Sequence, residues 1–150
     1  MTSKNDLITA LRQIQVKFSR FYIVILEKLG LTLPQYALLG LLAEEGAIAM
    51  SEAGSKLHIT KSAVTHLTDQ LEYKKCLIRQ PQKEDRRVIL LKILPNGEEK
   101  VRETQTRVLR DLLNTFDQFS SGEQEVISRF YSELTRHLDK TLLTEENHES

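Results

Sequence analysis

One short segment of this 150-residue chain carries hydrogen-bonding side chains on one face and apolar side chains on the other. Within residues 61–74, Val64, Leu67 and Leu71 are spaced three and four residues apart, so they share one face of a predicted helix. The opposite face carries the polar set Lys61, Ser62, Thr65, His66 and Asp69. Such a helix fits the DNA major groove, about 12 Å wide, with its first turns at the base edges. Its hydroxyls can bond to bases or phosphates, and Lys61 is expected to contact phosphate.

A second group of charged side chains, Lys83-Glu84-Asp85-Arg86-Arg87, falls between two predicted strands, Ile78 to Gln80 and Val88 to Ile93. Adjacent arginines at the tip of such a ribbon can enter a minor groove, where narrow A·T tracts attract guanidinium groups. If the chain is extended there, one arginine faces DNA while the other pairs with Asp85. Both groups are also consistent with ordinary solvent-exposed surface. The first would then be the polar face of a surface helix, and the second a charged surface loop.

The charge of the chain is distributed unevenly. Formal net charge is zero, with 21 basic and 21 acidic residues, which by itself argues against a nucleic-acid binder. Between Ser51 and Lys92, however, there are nine basic and five acidic residues, so this segment is +4 and the remainder is −4. A positive segment in an otherwise acidic chain is typical of a local site for a polyanion.

Composition places the chain among globular proteins, with 40% hydrophobic and 28% charged residues. Cys76 is the single cysteine, so no intramolecular disulfide is expected. The N-terminus lacks the apolar run of a signal peptide. The sequence contains no run of 18 apolar residues, so no membrane span is expected. The sequence therefore predicts a cytoplasmic protein.

Long helices are predicted at both ends of the chain. The first runs from Ser3 to Leu29, ends at Gly30, and carries an apolar seam with alternating spacings of four and three residues. The seam consists of Leu7, Leu11, Ile14, Phe18, Phe21 and Ile25. Pro95-Asn96-Gly97 is predicted to break the preceding strand and to precede a long helix to about Phe119, and a last helix is predicted from Ser120 or Ser121 onward. These ends carry more apolar surface than a monomer of this size easily buries.

The elements that position the polar helix lie between these ends. Thr32-Leu33-Pro34 is predicted to open a second helix, which is followed by an extended run over residues 47–50. Ser51 is predicted to cap a short helix to Leu57, His58-Ile59 to form a tight turn, and Thr60 to cap the polar helix.

The sequence resembles the MarR (multiple-antibiotic-resistance regulator) family of winged helix-turn-helix regulators. The resemblance covers Leu31 to Val101 closely and rests on a set of motifs that are specific in combination. These are Leu31-Thr32-Leu33-Pro34-Gln35-Tyr36, Ile59-Thr60-Lys61-Ser62-Ala63-Val64-Thr65, Asp69-Gln70-Leu71-Glu72, Leu77-Ile78-Arg79, Glu84-Asp85-Arg86-Arg87 and Pro95-Asn96-Gly97. The terminal helices match the family in length and apolar character.

The resemblance implies a mainly α fold with a small β-hairpin wing (α+β). A winged DNA-binding head over residues 31–95 would join an intertwined helical dimerisation region, residues 1–30 and 96–144. Residues 145–150 are polar and are expected to be disordered. It implies a homodimeric repressor on a pseudo-palindromic double-stranded DNA operator, released by a small, often aromatic or phenolic ligand. The implied DNA-contacting residues are Ser51, Thr60, Lys61, Ser62, Ala63, Thr65, His66, Lys83, Asp85, Arg86 and Arg87. Phe18, Tyr22, Tyr36 and Met50 are the candidates to line an effector pocket, with ordinary core packing as the favoured alternative. Neither a metal nor a cofactor is expected.

Four positions depart from what the family usually carries. His58 and Cys76 stand where glycine is usual, so His58 is expected to tolerate a positive φ and Cys76 to strain the end of the polar helix. His66 replaces a common arginine, which lowers the fixed positive charge of the polar face. Gly54 replaces a typical alanine, which weakens its helix by up to about 1 kcal/mol.

The same residues are compatible with functions other than DNA binding. A redox-responsive regulator through Cys76 is one alternative, although a structural cysteine is favoured. A zinc sensor is disfavoured, because the four histidines form no ligand-spaced pair. An enzyme is disfavoured because no nucleophile–base pair or phosphate loop is present. A winged-helix module that binds protein without DNA is the remaining alternative.

Overall fold

The structure is a computed structural model that describes residues 3–148, with side chains described from residue 3 to residue 141. Over this range the chain forms six helices and a three-stranded antiparallel sheet, so the predicted mainly α fold with a small β wing is confirmed. The chain divides into two compact units after Val108, inside a helix. The predicted boundaries of the head and the dimerisation region stay a prediction, since compact units of one chain do not identify a dimer interface.

The first two helices are delimited by capping side chains. Helix α1 spans Lys4–Lys28, where Ser3 and Asp6 form a capping box, and helix α2 spans Leu33–Glu45, where Thr32 and Gln35 form another. Gly30 has a φ of 68°, and its N–H donates to the carbonyl of Glu27. Glycine adopts this left-handed conformation without strain, so Gly30 ends α1 as predicted.

The short helix α3, Met50–Leu57, and helix α4, Lys61–Tyr73, form the helix-turn-helix. The predicted Ser51 cap is wrong: α3 begins at Met50 after Ala49, which makes no side-chain cap hydrogen bond. The helix starts early because Ala49 is already paired in the sheet, which sets where the extended chain ends. His58 lies in the turn with a φ of 52°, and Thr60 caps α4, both as predicted.

The sheet consists of β1, Ile48–Ala49, β2, Leu77–Pro81, and β3, Ile89–Ile93, in the order β1-β3-β2. Strands β2 and β3 pair along their full length, from Leu77 opposite Ile93 to Pro81 opposite Ile89. We call this hairpin, residues 77–93, the wing. Strand β1 adds only two residues to it, and Ile48 lies opposite Leu91 in the core.

The core of the first unit lies between α2, α4 and the sheet. Its fully buried side chains include Leu38, Leu39, Leu42, Val64, Leu71, Leu77 and Leu91. Leu57, Ile59 and Leu67 pack against this cluster, as their spacing predicts. The non-polar face of α4 therefore fixes which side chains of that helix point outward.

The end of α4 corrects the prediction about Cys76. The left-handed residue is Lys75, with a φ of 56°, whereas Cys76 is fully buried in the core. The N–H of Cys76 donates to the carbonyl of Leu71 and that of Lys75 to the carbonyl of Glu72, which closes the helix. Strain at this helix end therefore falls on Lys75, one residue before the expected position.

Helix α5 spans Pro95–Phe116, so Pro95-Asn96-Gly97 forms its first turn instead of preceding it. Asn96 Nδ2 donates to the carbonyl of Lys74 at 3.0 Å, which satisfies an orphan carbonyl at the end of α4. A Cβ on Gly97 would lie 2.3 Å from the carbonyl oxygen of Cys76. Glycine is therefore required where the first turn of α5 passes the carbonyl of Cys76.

In the second unit, helix α6 spans Ser121–His148. The Ser120 N–H and hydroxyl donate to the carboxylate of Glu123, which matches the predicted helix start. The helix continues through residues 145–148, where a disordered tail was expected; residues 149–150 lie outside the described range. Within that range no single helix is long and apolar enough to cross a membrane, although α1 and α2, bent by 83°, pass that test as a pair.

Candidate nucleic-acid interface

The polar face predicted for α4 exists and forms a shallow groove. The groove is lined by Lys61, Ser62, Thr65, His66 and Asp69, the five residues that the helical spacing placed together. All five side chains are exposed. Because α4 buries Val64 and Leu71 on its other side, this face is held toward solvent by the packing of the core.

Local hydrogen bonds order the first turns of α4. Thr60 Oγ1 accepts from the Ala63 N–H at 3.2 Å and lies 3.1 Å from Ser62 Oγ. Thr65 Oγ1 donates to the carbonyl of Lys61 at 3.0 Å, so its lone pairs remain available to accept from another group. Ala63 is half-buried and can offer only its methyl group and backbone.

The tip of the wing is a turn and not an extended ribbon. Asp85 Oδ1 accepts from the backbone N–H of Arg87 at 3.0 Å, and the Val88 N–H donates to the carbonyl of Asp85. The expected pairing of Asp85 with a neighbouring guanidinium is therefore replaced by a contact with the backbone. Lys83, Arg86 and Arg87 are exposed around this turn.

A cleft of about 880 Å³ joins the helix-turn-helix to the wing. It brings together four of the predicted DNA-contacting residues, Ser51, Thr60, Lys61 and Arg87. Ser62, Thr65 and His66 line the adjacent groove with Lys61, which borders both. The remaining charged residues of the wing tip, Lys83, Asp85 and Arg86, line neither of these depressions.

Sequence reasoning missed the ion pairs that attach the wing to α4. Arg79 on β2 contacts Asp69 Oδ1 through Nη2 at 2.6 Å and Glu72 Oε2 through Nη1 at 2.5 Å. The Arg79 N–H also donates to Glu72 Oε1 at 3.1 Å. The signal was available: two carboxylates three residues apart on one helix suit a single guanidinium from a neighbouring strand.

Comparison with known proteins agrees with this geometry. The profile of the MarR family matches residues 31–89. Over 145 residues the chain is 27% identical to the uncharacterized HTH-type transcriptional regulator YsmB of Bacillus subtilis, covering 93% of this chain and 99% of YsmB. It is 30% identical over 110 residues to the HTH-type transcriptional repressor MdtR of the same organism, covering 73% of this chain and 61% of MdtR.

A solved structure of a MarR family protein from Bacillus stearothermophilus matches with a TM-score of 0.80 and 27% identity, covering 90% of this chain and 94% of that one. The chain belongs to the MarR family. It is a DNA-binding transcriptional regulator of the MarR type with a winged helix-turn-helix fold.

The predicted effector residues of this MarR-family regulator occupy two places. Phe18, Tyr22 and Tyr36 form an aromatic row between α1 and α2, with ring centroids 6.5 Å and 6.1 Å apart. Burial, and then the neighbouring Tyr22, raises the pKa of Tyr36 above its usual value of 10.0. Met50, by contrast, lines the cleft beside the wing.

Cys76 has the environment of a structural cysteine in this MarR-family chain. It is fully buried, its Sγ donates to the carbonyl of Lys74 at 3.6 Å, and Asn96 Nδ2 donates to it at 3.5 Å. Burial raises the pKa of the thiol, outweighing the charges of Lys100 and Lys74, which lower it. A thiol held neutral is a poor nucleophile. Among the residues that the structure describes, no three His, Cys, Asp or Glu side chains cluster as metal ligands.

Proposed function

We propose that this MarR-family chain is a homodimeric repressor that binds a pseudo-palindromic operator and leaves it when a small aromatic ligand binds. The observation that carries the proposal is the cleft that brings Ser51, Thr60, Lys61 and Arg87 to one surface. That surface joins the first turns of α4 to the wing. One head can therefore place α4 in a major groove and an arginine in the adjacent minor groove.

The contacts divide into those that select sequence and those that supply affinity. Ser62, Thr65 and His66 present exposed donors and acceptors at the groove, and the methyl of Ala63 suits contact with a thymine methyl. Ser51, Thr60, Lys61 and the wing cations Lys83, Arg86 and Arg87 act on phosphates or on the minor groove. Asp85 acts indirectly, because it fixes the turn that carries Arg87.

The dimer is proposed from apolar side chains on the terminal helices that are left in solvent. In the first half of α1, four such side chains are each 46–53% exposed: Leu7, Ile8, Leu11 and Ile14. On α6, four more are each 50–59% exposed: Val126, Phe130, Tyr131 and Leu138. Rows of exposed apolar side chains on a helix mark a protein interface, and a second copy of the chain is the proposed partner of each helix.

A dimer also supplies the charge that one head lacks. The segment between Ser51 and Lys92 carries a net charge of only +4. Two heads related by a two-fold axis double the number of phosphate contacts and fit half-sites one helical turn, about 34 Å, apart. The proposed operator is therefore a pseudo-palindrome, and a cytoplasmic location follows from this role at chromosomal DNA.

The proposed ligand site is the aromatic row of Phe18, Tyr22 and Tyr36. It lies where α1, the proposed dimerisation helix, meets α2 of the head, so a ligand there can bias the placement of the head. The rings favour an aromatic or phenolic body. The role is non-enzymatic, as in the regulators to which the chain is similar.

The experiment measures the affinity of the full-length protein for fragments of promoter regions adjacent to its own gene, by fluorescence anisotropy across a series of salt concentrations. We expect one fragment to bind two chains, with an affinity that falls steeply as salt rises, because each neutralised phosphate releases counterions. A phenolic carboxylate such as 4-hydroxybenzoate should weaken this binding, and a Tyr36→Ala protein should respond less.

The matched control carries Arg102→Gln, a change of one exposed cation on α5 that forms no part of the cleft. It should leave the affinity unchanged. Absent or salt-insensitive binding to every promoter fragment tried would overturn the proposal and favour a module that binds protein instead of DNA.

A further inference from the structure

A chain of side-chain hydrogen bonds leads from the end of α1 to the DNA-facing surface of α4. Lys74 Nζ donates to the carbonyl of Gly30 at 2.6 Å and to Gln35 Oε1 at 2.9 Å. Gln35 Nε2 donates to Gln70 Oε1 at 2.8 Å, and Gln70 Nε2 lies 3.0 Å from His66 Nε2. This series of hydrogen bonds, which we call the relay, therefore ends on His66, a histidine that lines the polar groove.

The donor and the acceptor of every hydrogen bond in the relay are set by the surroundings of Gln35. Gln35 is only 2% exposed, and its oxygen faces two groups that can only donate, the Lys74 ammonium and the Thr32 N–H at 3.1 Å. Gln35 must therefore present its oxygen to them and its amide N–H to Gln70. Reversing the amide would place a buried N–H₂ group against two donors, at a cost of about 1–3 kcal/mol or more.

The same constraint passes to the next link. Gln70 receives an N–H from Gln35 and must meet it with its oxygen, so its own N–H₂ group faces His66. His66 Nε2 must then accept, which requires a lone pair on that nitrogen. A neutral imidazole with a lone pair on Nε2 carries its proton on Nδ1.

We propose that this relay fixes His66 as the Nδ1–H tautomer and thereby makes it a hydrogen-bond donor, and not an acceptor, toward DNA. The DNA half of the inference rests on the proposed function. In the major groove, purine N7, guanine O6 and thymine O4 accept, whereas cytosine N4 only donates. His66 is then a specificity-determining residue that prefers a base offering an acceptor and rejects cytosine at that position.

The tautomer is tested in the free full-length protein by long-range ¹H–¹⁵N correlation of the imidazole nitrogens at pH 8. We expect His66 to show a protonated Nδ1 and an unprotonated Nε2, opposite to the tautomer that exposed imidazoles favour. The exposed His58 in the same spectrum is the internal control. A His66→Asn protein assigns the signals by their loss.

Gln70→Glu provides the decisive variant, because a carboxylate can only accept. It still receives the Gln35 N–H with one oxygen, while the other now requires a proton on His66 Nε2. The Nε2 signal should therefore become that of a protonated nitrogen. Unchanged circular dichroism checks that the fold is kept. An Nε2–H tautomer in the wild type, or an unchanged His66 spectrum in Gln70→Glu, would overturn the proposal.

The consequence for DNA is measured on the best site selected from random duplexes by the wild-type protein, with each half-site position changed to all four bases. We expect one position where the wild type prefers an acceptor-bearing base about three- to tenfold, the range of one hydrogen bond. His66→Ala should lose that preference, and Gln70→Glu should change it.

The spectroscopic experiment and the DNA selection test different claims, and each claim can be refuted without the other. Selection that yields no bound DNA counts against the proposed function and leaves the spectroscopic test standing. Binding without any position at which His66→Ala changes the preference refutes the specificity role even if the tautomer is as expected.

Discussion

The Arg79 guanidinium on β2 lies 2.6 Å from the carboxylate of Asp69 on α4, and this contact joins the wing to the helix proposed to enter the major groove. The Arg79 side chain is 25% exposed and that of Asp69 is 61% exposed, so solvent weakens the pair without removing it. The second carboxylate, Glu72, receives both the guanidinium and the backbone N–H of Arg79. One arginine therefore ties together the two elements proposed to contact DNA and offsets part of the negative charge of two acidic groups beside them.

Replacing Arg79 with glutamine should lower the free energy of unfolding by about 1–2 kcal/mol, because charge-assisted hydrogen bonds to two carboxylates are lost. DNA affinity should fall further than stability suggests, since Asp69 and Glu72 would then repel phosphate. Urea denaturation and anisotropy measure the two effects. The control Arg102→Gln, whose ion pair is long and solvated, should change stability by less than about 0.5 kcal/mol. Equal effects of the two variants would contradict the assigned role.

Gly97→Ala should destabilise the protein by about 1–3 kcal/mol, because the added Cβ overlaps the carbonyl oxygen of Cys76 and cannot be relieved by a side-chain rotation. Gly40→Ala is the matched control, since nothing lies within 4 Å of its Cβ position in the middle of α2. That change should stabilise by up to about 1 kcal/mol through helix propensity. Thermal unfolding of both variants measures these changes, and an unchanged stability of Gly97→Ala would show that α5 does not approach the Cys76 carbonyl this closely.

Cys76 should react slowly with a thiol reagent such as iodoacetamide at neutral pH and become reactive only in denaturant. The pKa of its thiol is raised by burial, so in the folded state the neutral form is favoured. Peroxide at neutral pH should accordingly leave DNA affinity unchanged. Rapid labelling of the native protein would instead support the redox-responsive alternative.

The raised pKa of Cys76 also makes the free energy of unfolding fall at alkaline pH. Because the pKa of the folded thiol lies above the usual 9.0, the contribution of the buried neutral thiol to the free energy of unfolding is complete below pH 9. It is lost as pH rises toward the folded pKa, because the unfolded thiol ionises first. The free energy of unfolding should thus fall more steeply above pH 9 for the wild type than for Cys76→Ala. Tyr36, whose pKa is also raised, contributes the same slope to both proteins and cancels in the comparison.

Arg86→Ala and Arg87→Ala should weaken binding to all DNA sequences and lower the salt slope by about one each, if each arginine neutralises one phosphate. Ser62→Ala and Thr65→Ala should instead change which sequence is preferred, with a similar salt slope. Anisotropy on the selected site and on an unrelated duplex separates the two classes. An arginine variant that altered preference alone would place that residue at a base edge.

Leu11→Glu should convert the proposed dimer to monomer, because it would bury a charge in an apolar interface. Leu11 is 51% exposed in the single chain, so the substitution should leave the fold of that chain intact. Gln13→Glu changes an exposed residue on the opposite side of α1, beside Thr9 and Lys17, and should leave the dimer intact. Sedimentation velocity distinguishes the species. A Leu11→Glu protein that sediments as a dimer would place the interface elsewhere.

The sequence determined the local features of this protein. Periodic apolar residues predicted α1 and α4, Thr32 and Thr60 identified helix starts, and the spacing of five polar residues predicted the groove that the structure contains. These predictions succeed because capping and helical periodicity depend on residues three or four positions apart. The motifs from Leu31 to Val101 likewise sufficed to indicate the MarR family.

Only the tertiary structure decided which distant residues meet. The start of α3 at Met50, the left-handed Lys75 and the first turn of α5 at Pro95 depend on sheet pairing and on contacts between helices. The Arg79 clamp on Asp69 and the relay that reaches His66 join residues up to 44 positions apart. A local pattern such as Asp69 and Glu72 on one helix face can offer a site for a cation, but the packing of whole elements selects which residue fills it.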